Sequence, residues 1–205
     1  MRFLVLVLTV LTIALSPLHA GVLIDFESAP GGAPGLIPGP PFVLSTQGYN
    51  FSSAASFAIT NTPSFPLVTG NGGNVLVDIG GRADPVNMAE AGGLPFSLFS
   101  ISAAPGLAGV SADNATTLNI IGTYFGGGTT STSFSLVSNI YTTFSLPTGW
   151  TNLIAVDFFG SGSSGANFVA IDNINTVPEP SSLALLMTIA LGCMWWIRAR
   201  RKRTA

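Results

Sequence analysis

The 205-residue chain is sparsely charged, with nine acidic and seven basic residues. Its one His, His19, and its one Cys, Cys193, lie in hydrophobic terminal stretches, so residues 21–176 contain no His, Cys or Lys. That inventory excludes a Ser-His-Asp triad, a Cys-His pair, a His/Cys zinc site and any disulfide in the segment. The same segment sets eight acidic residues against Arg82 alone, a balance of −7. Nucleic acid is thereby excluded as a partner, because phosphate binding needs clustered Lys and Arg. Neutral glycans and divalent cations remain open.

Taken from the start, Met1-Arg2 supplies a short positive region, residues 3–15 an apolar run, and Ser16 to Ala20 a cleavage region. This is secretory signal-peptide anatomy, too short for a comfortable membrane span. Residues 1–20 are therefore expected to be a signal peptide and 21–176 a single domain.

The texture of that domain is all-β. Val, Ile, Phe and Thr are abundant, Gly and Pro punctuate the chain, and no stretch holds a helical period. Strands are expected at 22–26, 49–51, 75–79, 96–101, 117–124, 133–137, 141–146, 153–159 and 168–174. In 118–124, Leu118, Ile120 and Tyr124 share one face by period-2 alternation. A Gly/Pro-rich loop is expected at 28–41, a turn at 161–166, and a helical turn at 86–91. Nine short strands predict a β-sandwich or jelly roll, since two amphipathic sheets must cover each other's apolar faces.

Within this frame several residues are candidates for chemistry. Asp25 and Glu27, two apart on a strand, would project from one face, and Asp172 lies on the last strand. If first and last strands lie side by side, these oxygens would gather as the hard ligands that Ca²⁺ takes. The same carboxylates could serve as the acid/base pair of a glycan hydrolase, which needs two carboxyls about 5 to 9.5 Å apart across a cleft. Tyr49, Tyr124 and Trp150, in a turn after Pro147-Thr148-Gly149, are candidate stacking surfaces for sugar rings, and for Trp150 core packing at the start of the 153–159 strand is the favoured alternative. Arg82 is expected to pair with Asp78 or Asp84. The Thr/Ser-rich tracts read as ordinary strand surface rather than an ice-binding array.

The tail, 177–205, has three parts. Pro178-Glu179-Pro180 opens it, a hydrophobic run covers 181–197, and 198–205 begins with five of the chain's seven basic residues in six positions. The 17-residue run would span about 26 Å as a helix, at the short end for crossing a bilayer. Its basic flank would stay cytoplasmic, leaving the domain outside. An ordinary C-terminal anchor has the same physics. Motif, span and basic end together resemble the PEP-CTERM sorting signal of Gram-negative bacteria. That resemblance implies recognition of Pro178, Glu179 and Pro180 by an exosortase, removal of the span, and passage from inner membrane to cell surface or exopolysaccharide matrix.

A second resemblance rests on Ile24-Asp25-Phe26-Glu27, Gly149-Trp150-Thr151-Asn152-Leu153 and Ala170-Ile171-Asp172-Asn173-Ile174. These stretches are similar to secreted bacterial jelly rolls of the carbohydrate-binding-module type. The expected function is thus a non-enzymatic, exported sandwich associated with exopolysaccharide, and the alternative is a secreted hydrolase using Asp25, Glu27 or Asp172.

Overall fold

The computed structural model describes residues 21–27, 35–36, 42–54, 57–60, 73–80, 83–106, 112–137, 140–162, 165–179 and 192. Residues 21–178 form one compact unit. The described residues contain thirteen strands: β1 Val22–Ile24, β2 Gly35–Leu36, β3 Phe42–Thr46, β4 Tyr49–Ser53, β5 Phe57–Thr60, β6 Val75–Asp78, β7 Val86–Glu90, β8 Phe96–Pro105, β9 Thr117–Tyr124, β10 Thr129–Ser135, β11 Thr142–Ser145, β12 Leu153–Ser161 and β13 Val169–Pro178. The described part of the 21–178 unit is all-β and folds as a sandwich.

Every strand-to-strand pairing is antiparallel. A front sheet runs β3-β4-β7-β12-β9-β10. A back sheet runs β2-β5-β6-β13-β8-β11. β1 joins the back sheet on β13, beyond the residues that β6 occupies, through Val22↔Thr176, Leu23↔Asn175 and Ile24↔Ile174. The first and last strands do lie side by side, as the sequence suggested. One pairing, Leu153↔Phe96, links β12 to β8 and makes the two faces a single hydrogen-bonded network.

Alternation decides what each strand buries. On β4, Tyr49, Phe51 and Ser53 turn inward while Asn50 and Ser52 turn out, and on β9 Leu118 and Ile120 go in between Asn119 and Ile121. The inner faces form one core: Leu44, Phe51, Met88, Leu118, Val156 and Phe158 from the front meet Ile24, Phe57, Leu76, Leu98, Ile101 and Ile171 from the back. Among the described residues three aromatic pairs cross between the two layers. Phe26 meets Phe51 edge-on at 5.2 Å, Tyr49 meets Phe96 edge-on at 5.4 Å, and Phe134 stacks on Phe144 at 4.7 Å. Such pairs add about 0.5–1.5 kcal/mol each beyond the area they bury.

Several strand expectations need correction, and β5, like β3, was not among the expected strands. The helical turn expected at 86–91 is the strand β7, because Val86 and Met88 point into the core while Asn87 and Ala89 point out, a period of two. β3 lay unrecognised: its hairpin to β4 turns on Gln47 and Gly48, with φ of 47° and 84°. Both central residues are left-handed, as a tight primed turn requires, but Gln lacks the usual Asn-Gly signature. β10 begins at Thr129 rather than 133, so the Thr/Ser tract is strand. Of the loop expected at 28–41, the described part is β2.

A side-chain lock ties the β3–β4 turn to the segment after β1. Gln47 Nε2 donates to Asp25 Oδ1 at 2.9 Å, and the Asp25 backbone N–H donates to Gln47 Oε1 at 3.1 Å. Between them Phe26 takes φ of 57°, a left-handed value rare for a bulky residue, with its ring wholly buried. Since each partly buried bond contributes about 0.5–1.5 kcal/mol net, Gln47→Ala is expected to lower unfolding free energy by about 1–3 kcal/mol, read from urea denaturation.

Two phenols are held protonated. Burial, with a smaller contribution from the Glu90 carboxylate and against the opposing Thr176 hydroxyl, raises Tyr49 above its ordinary 10.0. Burial and then the Asp172 carboxylate raise Tyr141 further, and its hydroxyl has no hydrogen-bond partner among the described residues. A raised phenol pKa means that the unfolded chain releases protons first as pH climbs. The stability from these two groups is complete below about pH 10 and declines above it. Alkaline unfolding followed by circular dichroism should therefore shift to higher pH in Tyr141→Phe.

Candidate functional site

The sequence candidates do not converge on one place. Trp150 is 3% exposed and belongs to the core. It is received by Gly122 on the inner face of β9, where an added Cβ would stand 3.1 Å from Trp150 Cζ3 and 2.9 Å from Leu153 Cδ2. Its backbone carbonyl accepts from Leu98 N–H at 2.9 Å. Tyr49 is 1% exposed, against Phe96. Neither ring offers a face to a sugar, which corrects the stacking expectation for both. Tyr124 is half-buried at the end of β9, with its hydroxyl donating to the Gly149 carbonyl at 3.2 Å.

The carboxylates are likewise divided. β1 ends at Ile24 and Phe26 turns left-handed, so Asp25 and Glu27 share no strand face. Asp25 is engaged by Gln47 and also accepts the Glu27 backbone N–H at 3.2 Å. Glu27 accepts the Asn74 backbone N–H at 2.8 Å. Asp172 is 3% exposed in the back sheet, opposite Ser102, and accepts from Asn173 Nδ2 at 2.7 Å. Among the described residues no three acidic, His or Cys side chains group as metal ligands. The Asp25/Glu27/Asp172 calcium cluster is corrected accordingly: each carboxylate fastens a different local turn or strand.

Asp78 and Asp84 act in the same manner. Asp78, fully buried, accepts the backbone N–H of Gly80 at 3.0 Å and of Gly160 at 3.4 Å, reaching from the back sheet to the front. Asp84 accepts the Ser53 hydroxyl and, at 2.7 Å, the Ala54 N–H. Arg82, their expected partner, lies outside the described residues. So do the signal peptide 1–20 and, of the tail, Pro180 and all that follows it apart from Gly192. Pro178 is described: it is the last residue of β13, paired with Phe96. No helix among the described residues is long and apolar enough to cross a membrane.

What the fold does bring together is the outer face of the front sheet. Registers across six strands align Val43, Ser52, Asn87, Asp157, Ile121 and Ser131 in one row. A parallel row sets Phe159 beside Asn119 and Ser133, and the next sets Ser161 beside Thr117 and Ser135. Here the face dips into a cleft of about 380 Å³ lined by Asn119, Ile121, Ser131, Ser133, Phe159 and Ser161. Asn119 Nδ2 is aimed by the Ser161 hydroxyl at 2.8 Å and the Phe159 carbonyl at 3.4 Å. Phe159, only 8% exposed, forms an apolar floor.

No titratable side chain lines this cleft. The nearest carboxylate in the rows, Asp157, accepts from Asn87 Nδ2 at 2.7 Å. The surface is therefore a neutral donor–acceptor array around an aromatic floor. Such a site can hold hydroxyl-rich ligands and has nothing with which to move a proton. The sequence reading passed over it because Ser131, Ser133 and Asn119 are unremarkable strand residues until register puts them side by side.

No protein-family model matches the chain, and no curated protein matches it. Among solved structures, a family 29 carbohydrate-binding module from Piromyces equi is similar at 7% identity and a TM-score of 0.44, over 80% of this chain and 94% of that one. The F5/8 type C domain of a Bacteroides fragilis protein is similar at 12% identity and 0.40, over 69% and 99%. The family 11 carbohydrate-binding module of a Clostridium thermocellum cellulosomal cellulase is similar at 10% identity and 0.37, over 78% and 95%.

Proposed function

We propose that the chain is an exported, non-enzymatic sandwich that contacts neutral glycan through the cleft of its front sheet. The observation that carries this reading is the cleft itself: hydroxyl and amide groups on Asn119, Ser131, Ser133 and Ser161 surround Phe159 with no charge among the lining residues. Sugars present hydroxyls at their edges and C–H groups on their faces, and this lining offers partners to both. Export is the reading of residues 1–20. Delivery through the inner membrane to the surface or exopolysaccharide matrix, with an exosortase acting at Pro178-Glu179-Pro180, is the reading of the tail. It is compatible with β13 ending at Pro178, so that the motif begins where the strand leaves the sheet.

The hydrolase alternative is less well supported. It requires two carboxyls flanking a cleft, whereas Asp172 is buried, Asp25 is engaged by Gln47, and the cleft holds no carboxylate.

Affinity electrophoresis of the full chain through gels containing neutral or uronate-rich polysaccharide tests the proposal. The neutral polymer is expected to retard it and the acidic one to leave it unretarded. Ser133→Trp, at an exposed position, is expected to fill the cleft and abolish retardation, while shifting stability by no more than about 0.5 kcal/mol. Unchanged retardation of that variant would refute the site. Melting temperature and retardation should be the same in EDTA and in Ca²⁺, because the acidic residues are committed to separate hydrogen bonds.

A further inference from the structure

We infer that two copies of this chain pair through β10, edge to edge, to extend the front sheet across a two-fold axis. Among the described residues β10 pairs with β9 alone, in unbroken register from Thr129↔Thr123 to Ser135↔Thr117. Its far edge therefore presents a row of backbone N–H and C=O groups. Proteins commonly protect such an edge with Lys, Pro, a bulge or an inward-pointing charge, and Thr129-Thr130-Ser131-Thr132-Ser133-Phe134-Ser135 has none of these.

Charge selects the occupant. From Asn114 to Val156, which spans β9, β10 and β11, no residue is charged, while the eight acids and Arg82 of residues 21–176 all lie outside that stretch. An identical copy meets its own negative charge by most approaches, but not by this edge. A charged partner would find nothing here to recognise.

The strand is also close to self-complementary. Antiparallel pairing about Thr132 sets Ser131 opposite Ser133 of the second copy, Thr132 opposite Thr132, and Thr130 opposite Phe134. Thr130, Thr132 and Phe134 alternate with the exposed Thr129, Ser131, Ser133 and Ser135, and are only half-buried. Pairing would complete their cover. Because the same edge serves both copies, the assembly closes as a dimer rather than a fibre. Ser131 and Ser133 also line the cleft, so the two clefts would meet at the axis.

Sedimentation equilibrium of the full chain in non-ionic detergent tests this without any sugar, so its failure is distinct from failure of the glycan reading. The unmodified chain should dimerise. Ser131→Glu with Ser133→Glu, and Ser131→Lys with Ser133→Lys, should each weaken the dimer at least about tenfold through like charges directly opposite. A mixture of the two should pair, since Lys then faces Glu at every position. An unmodified chain that is monomeric, variants as dimeric as the parent, or folded variants that fail to pair when mixed would overturn the inference. As an independent check, Thr132→Cys in a Cys193→Ser background should form a disulfide-linked dimer under mild oxidation, because directly opposed antiparallel residues stand about 4.5–5.5 Å apart. Absence of that species would also overturn it.

Discussion

Everything in this fold depends on keeping two sheets pressed together without a covalent staple. Cys193 is the only cysteine, and it lies outside the compact unit. The work falls to apolar faces, and within them to rings that reach across. Phe26–Phe51 and Tyr49–Phe96 join β1's exit and β8 to β4, and Phe134–Phe144 joins the β10 and β11 edges. The first two pairs link residues far apart in sequence, so contacts that hold the layers there are non-local. Once these rings turn inward, the period of two sends Asn, Ser and Thr outward, and the polar front face follows from the same alternation that makes the core.

Buried carboxylates supplement the rings. Asp78 reaches from β6 to the Gly160 N–H of β12, and Asp84 collects the Ser53 hydroxyl and Ala54 N–H. The two bonds to Asp84 are short, and hydrogen bonds to a carboxylate are stronger ties than neutral ones. Here acidic residues satisfy loop backbone that would otherwise be stranded inside. A composition that reads as an acidic domain awaiting a cation is, in the folded chain, partly an internal set of fasteners.

The elements most legible in the sequence were those with strict alternation and a β-branched or aromatic inner face, β9, β12 and β13 among them. β7 was obscured because Met88, Ala89 and Glu90 favour helix when isolated, and only burial of Val86 and Met88 against the core overrules that preference. Trp150, after Pro-Thr-Gly, read either as core or as a stacking surface; the core reading holds, and Gly122, 28 positions earlier, leaves the room its ring occupies. Asp25 and Glu27 shared a face only if the strand continued past Ile24, and the left-handed Phe26 ends it. Local pattern carried the layers. It could not carry register, and the candidate cleft exists only through register.

The pairing of β1 with the end of β13 has a mechanical consequence. Gly21 and Pro178 leave the unit beside each other, with Val22 opposite Thr176. Tension drawn through the C-terminal end alone enters β13 along its axis. There the ladder to β8, from Val169↔Pro105 to Pro178↔Phe96, is loaded in shear, many bonds at once. Tension between the two ends would instead peel β1 from β13 one pair at a time. A domain held at its C-terminal end and pulled by a polymer on the front sheet is loaded in the stronger of these two geometries.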